Sequence, residues 1–352
     1  YNTLLDETGR PMHKSWGNAI EFNEGADKMG ADVLRWLYAK QQPADNILFG
    51  YKKADETRRQ FHLMFWNVYN FFVTYANLDK FLPSNKVTNN QLTVLDRWIL
   101  ARLNQTIEFV TLSLDKFDAF TASHAIEDLV NDMSLWYVRR SRDRVGPTAK
   151  DQEDKMVCHS TLYTLLTTLS QIMAPFMPYM TEEIYKNLTG AESVHLSDWP
   201  PFVKTSVGQA QLIEDMKTVR KIVELGLAQR KLANIKVRQP LRKMVLSTQC
   251  SVLNGDLLQL IKDELNIKEV IFNENKELSV ELDTTLDDKL IVEGKLRELM
   301  RQVQDKRKEL GARLDQKIIL VLPEIPEMQA ELKRQVLADQ IIVGSEFAVQ
   351  LM

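Results

Sequence analysis

The sequence predicts a mainly α-helical protein, with an antiparallel helix bundle at its centre and a small α/β domain after it. Apolar residues that repeat every four positions predict one buried helix face: Leu95, Ile99, Leu103 and Ile107. Turn-forming residues at 83–85 and 146–148 interrupt long helical stretches, which favours neighbouring helices that run antiparallel. After residue 200, strand patterns alternate with helix patterns, which is typical of an α/β or α+β domain.

The elements divide the chain into three predicted regions: 1–50, 51–200 and 201–352. The first has a strand, a polar loop and one helix that ends before Pro43. The second is helical throughout, with helices predicted near 54–76, 94–113, 119–142, 151–173 and 180–187.

The third region combines helices with short strands. Its predicted helices are 209–232, 256–265, 285–310 and 328–339. Its predicted strands are 241–247, 270–272, 278–282, 317–322 and the last residues of the chain. No internal repeat and no low-complexity tract is apparent.

Composition is that of a globular protein, with 352 residues and a formal net charge of −3. Cys158 and Cys250 are far apart and have no metal-binding spacing, so we expect a reduced, cytoplasmic protein without a metal site. The stretch 156–181 has no Asp, Glu, Lys or Arg and is long enough to cross a bilayer. Because it also contains many Ser and Thr residues and two prolines, it is interpreted as a buried bundle helix.

Two basic clusters point to nucleic acid despite the negative net charge. The segment 217–243 has nine basic residues against one acid, Glu224, and the segment 136–144 combines arginines with Trp136 and Tyr137. Arginine pairs with phosphates, and an aromatic ring can stack on an unpaired base. The predicted RNA contacts are Trp136, Arg139, Arg140, Arg142, Arg144, Arg230, Lys231, Lys236 and Arg238. The alternative is a solvated helix face with both aromatic side chains in the core, which is the commoner place for large aromatics.

Residues 11–18 read Pro-Met-His-Lys-Ser-Trp-Gly-Asn. This stretch resembles the mobile ATP-contacting loop of class I aminoacyl-tRNA synthetases, Lys-Met-Ser-Lys-Ser-Leu-Gly-Asn. The resemblance implies that Lys14 is catalytic, and that Met12, His13, Lys14 and Ser15 contact ATP, used with Mg²⁺. The sequence departs from the family at Pro11, His13 and Trp16. Since proline has neither a charge nor an N–H, one phosphate contact of the family loop is missing.

Four further stretches follow in the family's order: 30–37 (Gly-Ala-Asp-Val-Leu-Arg-Trp-Leu), 66–72, 172–185 (with Ala-Pro-Phe-Met-Pro and Glu-Glu-Ile-Tyr) and 193–200 (Ser-Val-His-Leu-Ser-Asp-Trp-Pro). The resemblance covers residues 5–200. It implies that 1–50 is the end of a nucleotide-binding catalytic domain, that 51–200 is an anticodon-binding bundle, and that 201–352 is a tRNA-contacting or junction domain. The basic clusters would then hold the anticodon arm of a tRNA.

The stretches 136–144, 235–241, 263–270 and 297–309 are similar to isoleucyl-tRNA synthetases of the archaeal and eukaryotic type. One departure is Val145-Gly146, where that type often has Phe-Trp. The resemblance implies a cytoplasmic, monomeric ligase that activates isoleucine with ATP and charges tRNA(Ile). The chain lacks the family's His-x-Gly-His segment, so we expect it to bind tRNA without catalysis on its own. Three alternatives remain open: a valyl or leucyl enzyme, a free-standing tRNA-binding module, and a helical scaffold protein.

Overall fold

The computed structural model describes residues 3–83, 91–247, 255–273 and 277–352. The chain forms two compact units, which are Tyr1–Val145 with Ala149–Ala210, and Gly146–Thr148 with Gln211–Met352. The mainly helical fold class is confirmed, while the predicted division at residues 50 and 200 stays a prediction. Cys250 and the predicted turn residues Ser84 and Asn85 lie outside the described residues.

The first unit begins with two short parallel strands, β1 (Leu4–Leu5) and β2 (Ile47–Leu48). Two helices lie between them in the sequence. These helices are α1 (Phe22–Met29) and α2 (Ala31–Ala39). The predicted helix that ends before Pro43 is confirmed as α2, whereas α1 was not predicted as a separate element. Gly30 separates the two with a φ of 91°, a backbone conformation that glycine adopts without steric cost.

The bundle follows, and its helices match the predicted positions closely. They are α3 (Tyr51–Thr57), α4 (Leu63–Leu78), α5 (Val94–Leu114), α6 (Ala119–Asp132), α7 (Arg139–Val145), α8 (Gln152–Met173) and α9 (Pro178–Thr189). Two π-helical turns were not predicted: Arg58–His62 joins α3 to α4, and Met133–Val138 joins α6 to α7. Such turns are rare and often occur at functional sites.

Local capping explains where the helices begin. Thr93 and Asp96 form a reciprocal capping box at the start of α5. The Asp151 carboxylate accepts hydrogen bonds from two backbone N–H groups at the start of α8, and Pro178 occupies the first turn of α9. Gly190 ends α9 in the left-handed conformation.

The uncharged stretch 156–181 lies mainly in α8, where Cys158, Leu162, Leu165 and Leu169 are fully buried. The uncharged stretch is therefore part of a buried bundle helix, as the sequence predicted. Across the residues that the structure describes, no helix has the length and apolar character needed to cross a membrane.

The second unit contains helices and two three-stranded sheets. In chain order, its elements are α10 (Val207–Leu232, which begins in the first unit), β3 (Leu241–Ser247), α11 (Gly255–Leu265), β4 (Ile267–Asn273), β5 (Ser279–Leu282), α12 (Asp288–Glu309), β6 (Ile318–Leu322), α13 (Gln329–Gln335), β7 (Ala338–Val343) and β8 (Ala348–Leu351). The predicted helix 328–339 is too long, because the chain reverses at Leu337, which has a φ of 56°, and residues 338–343 form a strand.

The second unit contains a structural repeat, although no repeat is apparent in its sequence. In each half, a long helix is followed by a strand, a helix and two more strands. The sheet orders are β4-β3-β5 and β7-β6-β8, and the central strand pairs parallel with one neighbour and antiparallel with the other. The two halves share element order and strand pairing, and the repeat is recognised from these.

A buried arginine near the end of each long helix marks the repeat. The guanidinium of Arg230 donates to the carbonyl oxygens of Lys236 and Gln239 in the loop after α10. The guanidinium of Arg307 donates to those of Arg313 and Gln316 in the loop after α12, with 2.7 Å between Nη1 and the Gln316 oxygen. Each arginine therefore holds the loop that follows its helix by donating to loop carbonyl oxygens.

Candidate nucleic-acid interface

The loop that resembles an ATP-contacting segment is held by one asparagine. The side-chain amide of Asn18 donates to the Asp6 carboxylate (2.8 Å) and to the Pro11 carbonyl (3.0 Å), and its oxygen accepts the His13 N–H (2.8 Å). The Asp6 carboxylate also accepts hydrogen bonds from Thr8, and these contacts lower the pKa of Asp6 far below its usual range. Both ends of the loop are therefore fixed.

Between those ends, Lys14 begins a 3₁₀ turn that ends at Gly17, which has a φ of 69°. Lys14 and Ser15 are exposed, and the Ser15 hydroxyl lies 3.5 Å from Nδ1 of His13. Met12 is half-buried, and its N–H donates to the Leu4 carbonyl. The exposed ammonium and hydroxyl fit phosphate oxygens, whereas no group of three or more His, Cys, Asp or Glu side chains in the described part of the chain could hold a metal ion.

Two of the stretches singled out in the sequence meet at one helix terminus. The Asp32 carboxylate accepts the N–H groups of Tyr179 (3.3 Å) and Met180 (2.7 Å), so a residue of α2 caps the first turn of α9. Arg35 donates to the carbonyl oxygens of Pro175 (2.6 Å) and Phe176 (3.1 Å) just before that turn. Burial raises the pKa of Asp32, although the two backbone hydrogen bonds oppose this.

The next stretch is anchored to the same helix. The Glu182 carboxylate of α9 accepts hydrogen bonds from the N–H of Val194 (2.8 Å) and the hydroxyl of Ser193 (2.9 Å). Further along, the Trp199 indole N–H donates to the Thr111 hydroxyl (2.9 Å). The roles of Asp32, Arg35 and Glu182 were not predicted, although the quoted stretches contain all three.

The basic cluster 136–144 separates into buried and exposed residues. Trp136 is only 9% exposed, and the Arg139 guanidinium lies 5.7 Å from its ring centroid. The prediction that Trp136 stacks on an RNA base is therefore corrected, because its ring is covered. Arg139 and Arg142 are exposed and Arg140 is half-buried, so these three remain candidates for phosphate contact.

Arg144 must also be removed from the predicted contacts. Its guanidinium donates to both carboxylate oxygens of Asp96 (2.8 and 2.9 Å) and to Asp154 (2.8–3.1 Å). The Tyr137 hydroxyl donates to the same Asp96 carboxylate. Burial opposes ionisation of Asp96, but hydrogen bonds from Arg144 outweigh it and lower the pKa of Asp96. Arg144 is thus a structural residue of the bundle.

In the second unit, Arg230 is likewise structural. It is 1% exposed, it donates to carbonyls of Leu265, Asn266, Lys236 and Gln239, and burial lowers its pKa to about 10. The prediction that Arg230 contacts tRNA is corrected for that reason.

The other three predicted residues of this cluster lie on the surface. Lys231 and Lys236 are exposed. Arg238 is exposed too, although its guanidinium lies 2.8 Å from the Glu298 carboxylate. These side chains can reach a phosphate, whereas Arg230 cannot.

Residues 96–245 match the family described as the anticodon-binding domain of tRNA ligase. The match runs from α5 to β3, and it includes the exposed Arg139 and Arg142.

The relatives of the chain are isoleucine–tRNA ligases. That of Dehalococcoides mccartyi (strain 195) is 38% identical over 97% of this chain and 37% of its own length. Those of Clostridium tetani and Pyrococcus furiosus are 41% and 38% identical over 76% and 79% of this chain, and 26% and 27% of their own lengths. The chain thus spans about a third of these relatives.

A solved ternary complex, titled Agrobacterium radiobacter K84 agnB2 LeuRS-tRNA-LeuAMS, aligns over 80% of this chain and 32% of that chain. The alignment has a TM-score of 0.42 and a sequence identity of 17%.

Proposed function

We propose that the chain is the tRNA-binding part of an isoleucine–tRNA ligase that charges tRNA(Ile). The observation that carries this proposal is the match of residues 96–245 to an anticodon-binding domain, in a chain whose reported relatives are isoleucine–tRNA ligases. A valyl or leucyl specificity has no comparable support among those relatives.

In this proposal, Arg139, Arg140 and Arg142 of the first unit contact phosphates of the anticodon arm. Their position supports this role. All three lie within the matched domain, at or near the surface and outside the buried network that holds Arg144. Guanidinium groups suit this role because they offer paired donors to phosphate oxygens. Lys231, Lys236 and Arg238 supply further phosphate contacts from the second unit.

On the ATP side, Lys14 is proposed to stabilise charge on the phosphates during adenylate formation, with Ser15 as a hydrogen-bond donor. Met12 and His13 complete the loop, whose exposed turn is free to approach a nucleotide while Asn18 holds its base. The use of ATP with Mg²⁺, a cytoplasmic location and a monomeric state belong to the same proposal and follow from the family resemblance.

The test is binding of the whole chain to isoleucine, valine and leucine tRNA transcripts across a salt series. We expect the tightest binding to the isoleucine transcript, with loss of affinity when its anticodon is changed. Equal affinity for all three transcripts would contradict isoleucine specificity, and absence of salt-sensitive binding would contradict the tRNA-binding role itself.

A second candidate function is a tRNA-binding module without synthetase activity, favoured by Pro11 in place of the first lysine of the ATP loop. Isoleucine-dependent exchange of pyrophosphate into ATP by the complete natural protein distinguishes the two. Exchange that falls at least about a hundredfold in Lys14→Ala supports the ligase. No exchange in the unaltered protein supports the module.

A further inference from the structure

A cavity of about 570 Å³ in the first unit lies outside the basic surface and the ATP-type loop. It is lined by the N-terminal end of α2, the π-helical turn Arg58–His62, the first turns of α4 and the start of α9. Its volume lies within the ~300–1,000 Å³ range of small-ligand sites. Met29 and Met180 make part of its wall apolar.

His62 brings an unusual polar group to this cavity. The side chain is 3% exposed, and neither ring nitrogen makes a hydrogen bond of good geometry in the described part of the chain, although backbone groups of Asp32 and Thr57 lie close enough to oppose the fall of its pKa. Burial lowers the pKa of His62 to about 4, so the ring is neutral at physiological pH and carries one donor and one acceptor. An unsatisfied buried donor or acceptor is unfavourable, and a ligand with a polar edge would remove that penalty.

Two exposed aromatic side chains flank the cavity. Trp66 is 37% exposed on α4, and Tyr179 is 67% exposed on α9. The backbone of Tyr179 is held by the Asp32 carboxylate, so the position of that residue is fixed relative to α2. Partly exposed aromatic rings beside a cavity are the arrangement on which unpaired bases stack.

The charges near the cavity are suited to a phosphate backbone. Arg58 lines the cavity and is oriented by hydrogen bonds to Asp55 and to the carbonyl of Met29. Its neighbour Arg59 and the nearby Lys28 are both largely exposed, although each forms an ion pair with a carboxylate. A flat ligand with a polar edge and an attached phosphate matches the aromatic rings, His62 and Arg58, while the Asp32 carboxylate in the lining is already engaged by backbone N–H groups of α9.

We propose that this cavity binds one unpaired nucleobase of the bound tRNA. The base stacks against Trp66 and Tyr179, its polar edge pairs with a ring nitrogen of His62, and Arg58 faces the adjoining phosphate. This inference rests on the proposed tRNA-binding function. It assigns to the start of the bundle an RNA contact separate from the arginines of 139–142.

The test uses the whole chain and an isoleucine tRNA transcript, with Trp66→Ala as the variant. Tyr38→Ala is the control, because Tyr38 is 44% exposed in the same unit, does not line the cavity and lies outside residues 96–245. We expect the dissociation constant to rise about 5- to 100-fold for Trp66→Ala, since loss of a base–aromatic stack has that effect. We expect it to change less than twofold for Tyr38→Ala.

A second variant, His62→Phe, retains an aromatic ring and removes both ring nitrogens. We expect about 3- to 10-fold weaker tRNA binding from the lost hydrogen bond, with a thermal unfolding midpoint no lower than that of the unaltered chain. Photocrosslinking of a 4-thiouridine-substituted transcript supplies a direct readout, with adducts expected on Trp66 or Tyr179.

The outcomes separate the two proposals. If tRNA binds with salt sensitivity but Trp66→Ala matches Tyr38→Ala, or adducts map elsewhere, the base-binding cavity is overturned and tRNA binding stands. If the unaltered chain binds no tRNA, the proposed function fails and the cavity proposal with it. Free adenosine or uridine that binds the cavity as tightly as the transcript would also contradict a tRNA base as its occupant. An apolar peptide that binds the cavity without displacing the RNA would contradict it too.

Discussion

Arg142 and Arg144 are two positions apart on α7, yet their surroundings give them different roles. Arg142 is exposed and forms no hydrogen bond or ion pair with a described residue. Arg144 is largely buried between Asp96 and Asp154. Since a guanidinium already bound to two carboxylates has few donors left, burial rather than residue type decides which arginine can meet a phosphate.

Substitution of Arg144 should therefore affect stability. We expect Arg144→Ala to lower the free energy of unfolding by about 3–5 kcal/mol, because it leaves the Asp96 carboxylate buried and unpaired. Arg142→Ala should change it by less than about 0.5 kcal/mol, as exposed positions usually do. Urea denaturation followed by circular dichroism measures both. Equal effects of the two substitutions would show that the Arg144 network does not stabilise the bundle.

His62 should make stability depend on pH. Folding lowers its pKa from 6.5 to about 4, so between those values the unfolded chain binds a proton that the folded chain does not. The free energy of unfolding is therefore not reduced by His62 above pH 6.5. It declines as pH falls below that value and is lower by about 3 kcal/mol at pH 4. We expect the difference in unfolding free energy between the unaltered chain and His62→Phe to follow this curve. Parallel pH profiles for the two proteins would refute it.

At the scale of elements, helix ends and close helix contacts organise both units. In the first unit, Asp32 of α2 caps α9 and Glu182 of α9 holds the stretch that follows it. In the second unit, Arg230 and Arg307 each bind the loop after their own helix. Isolated helix propensity does not encode such contacts, since they need a partner from another part of the chain.

Gly226 on α10 is a place where close packing excludes a side chain. A Cβ added there would lie 2.4 Å from Cδ1 of the buried Leu265 on α11. We expect Gly226→Ala to lower the unfolding free energy by about 1–3 kcal/mol through overpacking, despite the better helix propensity of alanine.

Gly208→Ala in the same helix is the matched control, because nothing lies within 4 Å of the added Cβ. This substitution should raise the unfolding free energy by up to about 1 kcal/mol. Thermal and urea unfolding of both variants test this contrast. If both substitutions raise the unfolding free energy, the Leu265 side chain accommodates the added Cβ without a loss of stability.

Across the whole molecule, the distribution of charge matters more than its sum. The chain has a net charge of −3, yet exposed arginines and lysines occur within the domain that matches an anticodon-binding family. Because polyelectrolyte binding releases counterions, affinity for tRNA should fall steeply with salt.

We expect Arg142→Ala to weaken tRNA binding and to reduce the slope of log K against log salt by about 1, equally for cognate and non-cognate tRNA. Lys306→Ala is the control, since its ammonium lies 2.9 Å from the Glu309 carboxylate and outside the matched domain. A fluorescence titration at several salt concentrations measures the slopes. An unchanged slope for Arg142→Ala would remove that residue from the phosphate-binding surface.

The sequence determined the helical bundle, most element bounds and the family, because apolar periodicity, caps and short family stretches are local signals. The predicted helix 328–339 was wrong at its C-terminal end, because Leu337 has a φ of 56° and the strand β7 begins at Ala338. The structural repeat was not predicted, because it is recognised from the element order and the strand pairing of its two halves.

Only the tertiary structure decided which charged and aromatic side chains remain available. Trp136, Arg144 and Arg230 looked like RNA contacts in the sequence, but Trp136 is buried, and Arg144 and Arg230 are bound by partners distant in the chain. Conversely, His62 and Trp66, which are about one helical turn apart, meet Tyr179 of α9 at one cavity. Burial and satisfaction of hydrogen bonds depend on long-range contacts, and a linear pattern of residues does not specify those contacts.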